Sequence, residues 1–262
     1  MSDAVRAQRL DTWTWTFCVV AATLTDACAS LLAGAVRAEV CVPTEDKFLP
    51  PLFLMAAALV NGTHGLGFAH KYNDDGGVCV AYFGDGAANQ GQVYESFNMA
   101  KLWDLPVVYV IENNQYAMGT AVGRSSAETE FHRRGTAFRI PGMDVNGMDV
   151  LEVRQAAEIA FKHVREGKGP VLMECNTYRY RGHSMSDPAK YRTREEVQDI
   201  REHKDPIEAI KKVLLENGST EDELKAIDKD IRKTVTEAAD FAESSPEPEP
   251  GELYTDVLVG EY

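Results

Sequence analysis

The sequence predicts an α/β fold: a mostly parallel sheet flanked by helices, with an acidic helical C-terminal part. Three observations carry that expectation. Short apolar runs at 78–83, 107–111 and 170–175 each have the length of a buried strand. Between the first two, Gln90 to Trp103 places Val93, Phe97 and Ala100 on one face of a helix. From residue 193 onward the text changes to helix-start signals and surplus acid.

Taken in order, residues 1–60 carry conflicting local signals. Trp13-Thr-Trp15-Thr-Phe17 reads as a strand and Ala21 to Ala35 as an Ala-rich helix. Pro50-Pro51 then breaks the chain before the apolar run Leu52 to Val60. The first strand ends in Gly84-Asp85-Gly86, Pro106 opens the second, and Asn113-Asn114 closes it. That is a β-α-β unit, so a right-handed crossover and parallel pairing follow. A second helix is predicted from Asp149 to Glu166, stopped by Gly167. The third strand runs into Tyr178-Arg-Tyr-Arg-Gly-His183. Beyond it, Thr193-x-x-Glu196 and Thr220-x-x-Glu223 are capping boxes, and Asp205-Pro206 is an N-cap followed by proline. Ser244 to Pro250 reads as an extended linker into the apolar end, Leu253 to Val259. The expected organisation is a divergent segment of uncertain fold at 1–60, an α/β core at 61–192, and a helical region at 193–262 packed on that core.

The chain carries 41 acidic against 27 basic residues, a net charge of −14. Such a field repels nucleic acid and anionic membrane, so neither is expected as a partner. Residues 193–252 hold 18 acids and 9 bases, the pattern of a solvated helical face. The five cysteines (Cys18, Cys28, Cys41, Cys79, Cys175) form no Cys-x-x-Cys pair and read as reduced thiols. Thr12 to Val36 is the one candidate membrane segment in the sequence, and Asp26 interrupts it. No cleavage-site pattern is present, and Asp3 and Asp11 balance Arg6 and Arg9, as a transit peptide would not. The expected compartment is the cytoplasm of a bacterium, or the mitochondrial matrix of a eukaryote.

The chemistry concentrates on Gly84-Asp85-Gly86, followed after 26 residues by Asn113-Asn114. Asp85 and Asn114 fall at the carboxyl ends of successive strands, the edge where open α/β sheets bind ligands. A carboxylate and an amide oxygen converging there suit Mg²⁺, which takes oxygen donors and is completed by phosphate oxygens and water. Gly84 and Gly86 let backbone approach an anion. By itself the triplet fits a strand-to-helix turn capped by Asp85 equally well. A dinucleotide fingerprint fits worse: Asn89 stands where Gly or Ala is required, and Asp104 precedes the second strand instead of ending it.

The wider text is more specific. Residues 83–120, Phe131-His-Arg-Arg-Gly-Thr, Pro141 to Asp149 and Arg181-Gly-His-Ser-Met-Ser-Asp-Pro188 resemble the alpha subunits of thiamine diphosphate-dependent 2-oxo acid dehydrogenases. The likeness is nearly continuous from Gly65 to Tyr262, and it is to pyruvate dehydrogenase members more than branched-chain ones. The resemblance implies the thiamine diphosphate-binding fold, with Asp85, Asn114 and the backbone carbonyl of Tyr116 as Mg²⁺ ligands. It implies that Gly84, Gly86 and Ala87 approach the diphosphate, and that His183 is an active-site histidine that also contacts the cofactor. Arg179, Arg181 and Arg192 make that loop locally basic, and Ser184 matches a position phosphorylated in mitochondrial relatives. The implied reaction is oxidative decarboxylation of pyruvate, the acetyl group passing to a lipoyl group of an acyltransferase component. The glutamate that activates the aminopyrimidine comes from a beta subunit in this family, so an α₂β₂ assembly is implied.

The likeness breaks upstream. Residues 53–70 lack the family's glycine-rich segment, His64 is a poor replacement for its histidine, and Gly123 stands where Glu is usual. The expectation is therefore a truncated or divergent copy, with weak cofactor affinity and low activity even beside a beta subunit. The alternatives are a non-catalytic subunit that keeps only an assembly surface, or a related acetoin or branched-chain enzyme.

Overall fold

The computed structural model describes residues 52–184 and 187–254. The strand and helix expected within residues 1–51, the candidate membrane segment and the apolar C-terminal run from Thr255 lie outside the described residues. Most of the segment expected to diverge, residues 1–60, lies outside them too, and only its last nine positions are described.

Helix α1 (Leu52–Asn73) runs on through Gly62, Gly65 and Gly67, where the sequence suggested only an apolar run to Val60. It feeds β1 (Cys79–Gly84), and α2 (Gly91–Leu102) crosses over to β2 (Val107–Asn113). A small antiparallel pair follows, β3 (Tyr116–Ala117) and β4 (Thr120–Ala121), then a one-turn helix α3 (Val122–Ser125). A 3₁₀ segment, Phe131–Phe138, leads into β5 (Gly142–Asn146), α4 (Val150–Arg165) and β6 (Val171–Asn176). The main sheet has the order β1-β2-β6-β5 and every pairing in it is parallel. The expected α/β fold is present, with its three expected strands as β1, β2 and β6; β5 is an edge strand that the sequence did not announce.

Alternation along the strands divides the core. Cys79, Ala81 and Phe83 of β1, with Val107, Tyr109 and Ile111 of β2, face α2 and the 3₁₀ segment. Val108, Val110, Val171 and Met173 face α4 on the other side. Both faces are covered, which is why the central strands read as unbroken apolar runs. His64 lies inside the first layer, its Nε2 2.6 Å from the Ser96 carbonyl and 2.9 Å from the Tyr109 hydroxyl. Its setting is that of a core histidine.

The helix ends follow the local chemistry. Asp149 accepts from the N–H groups of Leu151 and Glu152, and α4 stops at Gly167, whose φ of +72° costs a glycine little. Helix α5 (Arg194–His203) is capped by Thr193, which accepts from Glu196 N, while the Glu196 carboxylate takes the Tyr178 hydroxyl. Asp205 accepts from Ile207 N at the start of α6 (Pro206–Glu216). Thr220 and Glu223 close the full reciprocal box on α7 (Glu221–Ser244).

Contacts group the chain into two units that meet between Ile210 and Lys211. That is later than residue 193, where the composition changes, because side chains tie α5 to the core. Tyr180 donates to Asp205 at 3.0 Å, and the Arg201 guanidinium stands 5.1 Å from the Tyr180 ring. In the second unit, α7 shows Ile227, Ile231, Val235 and Phe241 exposed along one face. Among the described residues, no helix is long and apolar enough to cross a membrane.

Candidate functional site

Gly84 and Glu112 are partners in the register of β1 and β2, so Asp85 and Asn113-Asn114 leave two hydrogen-bonded strand ends side by side. Neighbouring strands lie about 4.8 Å apart, which brings both turns to one edge of the sheet. Asp85 is only 4% exposed. Burial pushes its carboxyl above the ordinary value, opposed by the N–H groups of Asp85 and Gly86 and by the charges of Arg179 and Arg192. Glu112 is raised by burial alone and, by alternation along β2, belongs to the opposite face.

The two asparagines have different roles. Asn113 is buried, and its amide nitrogen donates to Glu174 Oε1 (2.6 Å) and to the Asn176 side-chain oxygen (3.3 Å). Asn114 is half-buried and its Oδ1 accepts from Tyr116 N at 3.3 Å. Beyond it the chain turns sharply, with Gln115 at φ +71° and Met118 at φ +54°. This tight hairpin presses on the first turn. A Cβ on Gly86 would stand 2.6 Å from that of Ala117, whereas one on Gly84 would meet nothing within 4 Å. Ala87 opens a short 3₁₀ turn, Ala87–Asn89, at the same edge.

The basic loop closes around these turns. Arg179 donates to the carbonyls of Tyr116 (3.3 Å) and Met118 (2.8 Å), and Arg192 donates to those of Asn114 (2.7 Å) and Arg179. Tyr191 stacks on Tyr116 at 4.6 Å, and the Arg192 guanidinium lies 3.9 Å from the Tyr178 ring centre. The Nε atoms of Arg179 and Arg192 are buried with no hydrogen-bond partner among the described residues. His183 is half-buried; burial and the Arg179 charge lower its pKa, against Asp187, which favours the protonated form. Arg179 therefore acts electrostatically on both Asp85 and His183. Arg181 and Ser184 are exposed.

Asp187 holds the loop. It accepts from His183 N (2.8 Å), the Tyr191 hydroxyl (2.7 Å) and Ala189 N (2.9 Å), and these bonds bring its carboxyl down to about 2. A carboxyl lowered from 3.8 stabilises the fold at any pH above that value, and the contribution fades as pH falls towards about 2. Asp187→Asn is expected to loosen the loop at neutral pH. Tryptic cleavage after Arg181, Lys190 or Arg192 should rise about fivefold. Unchanged cleavage would show that the charge is not what orders the loop.

The sequence did not point to the network behind the asparagine turn. Glu174, 2% exposed in the middle of an apolar strand, accepts from Asn113 and from His132 N, and its Oε2 is 2.8 Å from His132 Nδ1. A charged residue inside a buried run was the signal available. His132, Asp144 and Glu174 bring three ligand atoms within 4.8 Å of one another. Within that group His132 Nδ1 lies 2.8 Å from Glu174 Oε2, and Asp144 Oδ1 accepts from Asn176 at 2.6 Å. At the sheet edge, the carboxylate of Asp85, the amide oxygen of Asn114 and the carbonyl of Tyr116 are oxygens of the kind a hard divalent cation takes.

A family model described as dehydrogenase E1 component matches residues 29–251, starting inside the segment set apart on sequence. The chain is 59% identical over 207 residues to a pyruvate dehydrogenase E1 component subunit alpha of Rhizobium meliloti, covering 79% of this chain and 59% of that protein. It is 54% identical over 244 residues to the Zymomonas mobilis subunit of the same name, covering 93% and 69%. The Rickettsia bellii subunit is 49% identical over 215 residues, covering 82% and 65%. The chain thus spans about six tenths of the length of the Rhizobium relative. With most of its residues matched by one model and two thirds of a relative covered at this identity, the chain belongs to the dehydrogenase E1 component family.

Proposed function

We propose that this chain is the alpha half of a pyruvate dehydrogenase component that uses thiamine diphosphate and Mg²⁺ and works with a beta subunit. The observation that carries the reading is the pair of oxygen donors, Asp85 and Asn114, at the tips of two hydrogen-bonded parallel strands. The residues fit the group. A buried carboxylate at a ligand-binding edge gains most from a cation, and the three donors are hard oxygens. Gly84 leaves open space over the strand end, and the two unpartnered guanidinium N–H groups suit phosphate oxygens. E1 dehydrogenases are in general thiamine diphosphate-dependent.

When bound, thiamine diphosphate supplies the electron sink that lets a 2-oxo acid lose CO₂. The chain's own residues do the rest. Asp85, Asn114 and the Tyr116 carbonyl hold the ion; that carbonyl keeps a second lone pair beside its bond to Arg179. Gly86 and Ala87 bring backbone to the diphosphate. His183, favoured in its neutral form, can take or give a proton at the mouth of the site. The loop fastened by Asp187 and Tyr191 keeps that ring in place.

An exposed aromatic patch supports assembly with a partner protein. Phe68, Tyr72, Leu102 and Trp103 are exposed together, Phe68 stacked on Tyr72 at 6.2 Å. Such a patch is what a protein interface covers. A bacterial cytoplasm or a mitochondrial matrix is the proposed setting, and the acetyl acceptor is a lipoyl group on the acyltransferase component. Reconstitution with the beta subunit and an artificial electron acceptor tests the substrate. Pyruvate should exceed branched 2-oxo acids and acetoin in kcat/KM by about tenfold or more. A preference for either rival would overturn the assignment.

A further inference from the structure

We propose that Glu174 is a positioning residue that fixes the Asn113-Asn114 turn, and through it the ion-holding oxygen of Asn114. The proposal rests on the reading that Asn114 is a ligand. A carboxylate this deeply buried persists in a strand only where hydrogen bonds compensate it. Glu174 receives them from both sides: Asn113 on the neighbouring strand, and His132 on the 3₁₀ segment covering that face.

The effect on Asn113 is specific. Its amide nitrogen is held by Glu174 and Asn176, and its Oδ1 accepts from Gln115 N at 3.1 Å. Rotating that amide would break contacts at both ends. Asn113 is thereby anchored below the turn while Gln115 is kept in the left-handed region above it. Asn114 sits between the two, and its side chain has little freedom left to wander from the edge it shares with Asp85. A second layer of this kind orients the groups that touch an ion without touching the ion itself. Glu174→Gln is nearly the same size but places an NH₂ group against Asn113 or His132, both of which donate.

The test uses the full chain reconstituted with its beta subunit, with calorimetry of thiamine diphosphate binding across a Mg²⁺ series. Glu174→Gln should raise the half-saturating Mg²⁺ concentration about tenfold, with kcat at saturating cofactor within about twofold of wild type. Asn113→Ala should do the same. The double variant should be no worse than either single change, because both cut one network. His132→Ala, which keeps the backbone N–H bond, should give a smaller shift of about threefold and guards against a Glu174 variant that does not fold. A Glu174→Gln protein with lowered Tm but unchanged Mg²⁺ dependence, or effects that multiply in the double variant, would overturn the proposal while leaving the site reading intact. A wild-type complex that binds no cofactor would overturn both.

Discussion

Asp85→Asn is expected to weaken Mg²⁺-dependent thiamine diphosphate binding by about a hundredfold or more, and to leave the fold as stable as before or slightly more so. The two halves have one cause. Burial raises the Asp85 carboxyl above its ordinary value, so its charged form is disfavoured by folding. A group shifted in that direction costs stability at neutral pH, and the cost shrinks as pH falls from the raised value to the ordinary 3.8, where it is gone. Asparagine keeps the shape and removes the charge, so thermal melts without cofactor should show no loss. The same change would take from the proposed cation its one carboxylate. An Asp85→Asn chain that binds normally, or one that fails to fold, would contradict this account of the residue.

Phe97→Ala is expected to destabilise the first unit by about 3–5 kcal/mol, read from urea unfolding. Phe97 is 1% exposed. Its ring lies edge-on to Tyr109 of β2 at 4.8 Å, and 6.0 Å from both Tyr94 and Phe138. It therefore joins the crossover helix, the central strand and the 3₁₀ segment that carries His132. Single domains are stable by about 5–15 kcal/mol, so the loss would be a large share of the whole. A change below about 1 kcal/mol would mean that the aromatic cluster can collapse into the gap.

The legible parts of the fold were those where one signal dominates. β1, β2 and β6 are buried on both faces and end in Gly84, Asn113 and Asn176, so an apolar run with a polar stop was sufficient. β5 was missed because an edge strand needs no such run: Val145 is its single buried residue. α1 was obscure for the opposite reason, an apolar sequence with glycines and no polar face to mark its period. At the site, Asp85 and Asn114 could be read because they sit at the ends of recognisable strands. The partnership of Asn113 with Glu174 could not, since it joins residues 61 positions apart through the register of β2 and β6. The split of the Thr193 box was equally hidden: Glu196 is drawn to the Tyr178 hydroxyl, a tertiary contact that no four-residue motif contains.

Neighbouring strand tips are proposed to grip a divalent ion and so to hold a diphosphate. Calorimetric titration of the chain with its beta subunit, using thiamine diphosphate with and without Mg²⁺, addresses it most directly. Saturable binding that requires the metal and disappears on chelation is the predicted result. Binding indifferent to Mg²⁺, or no binding under either condition, would contradict it.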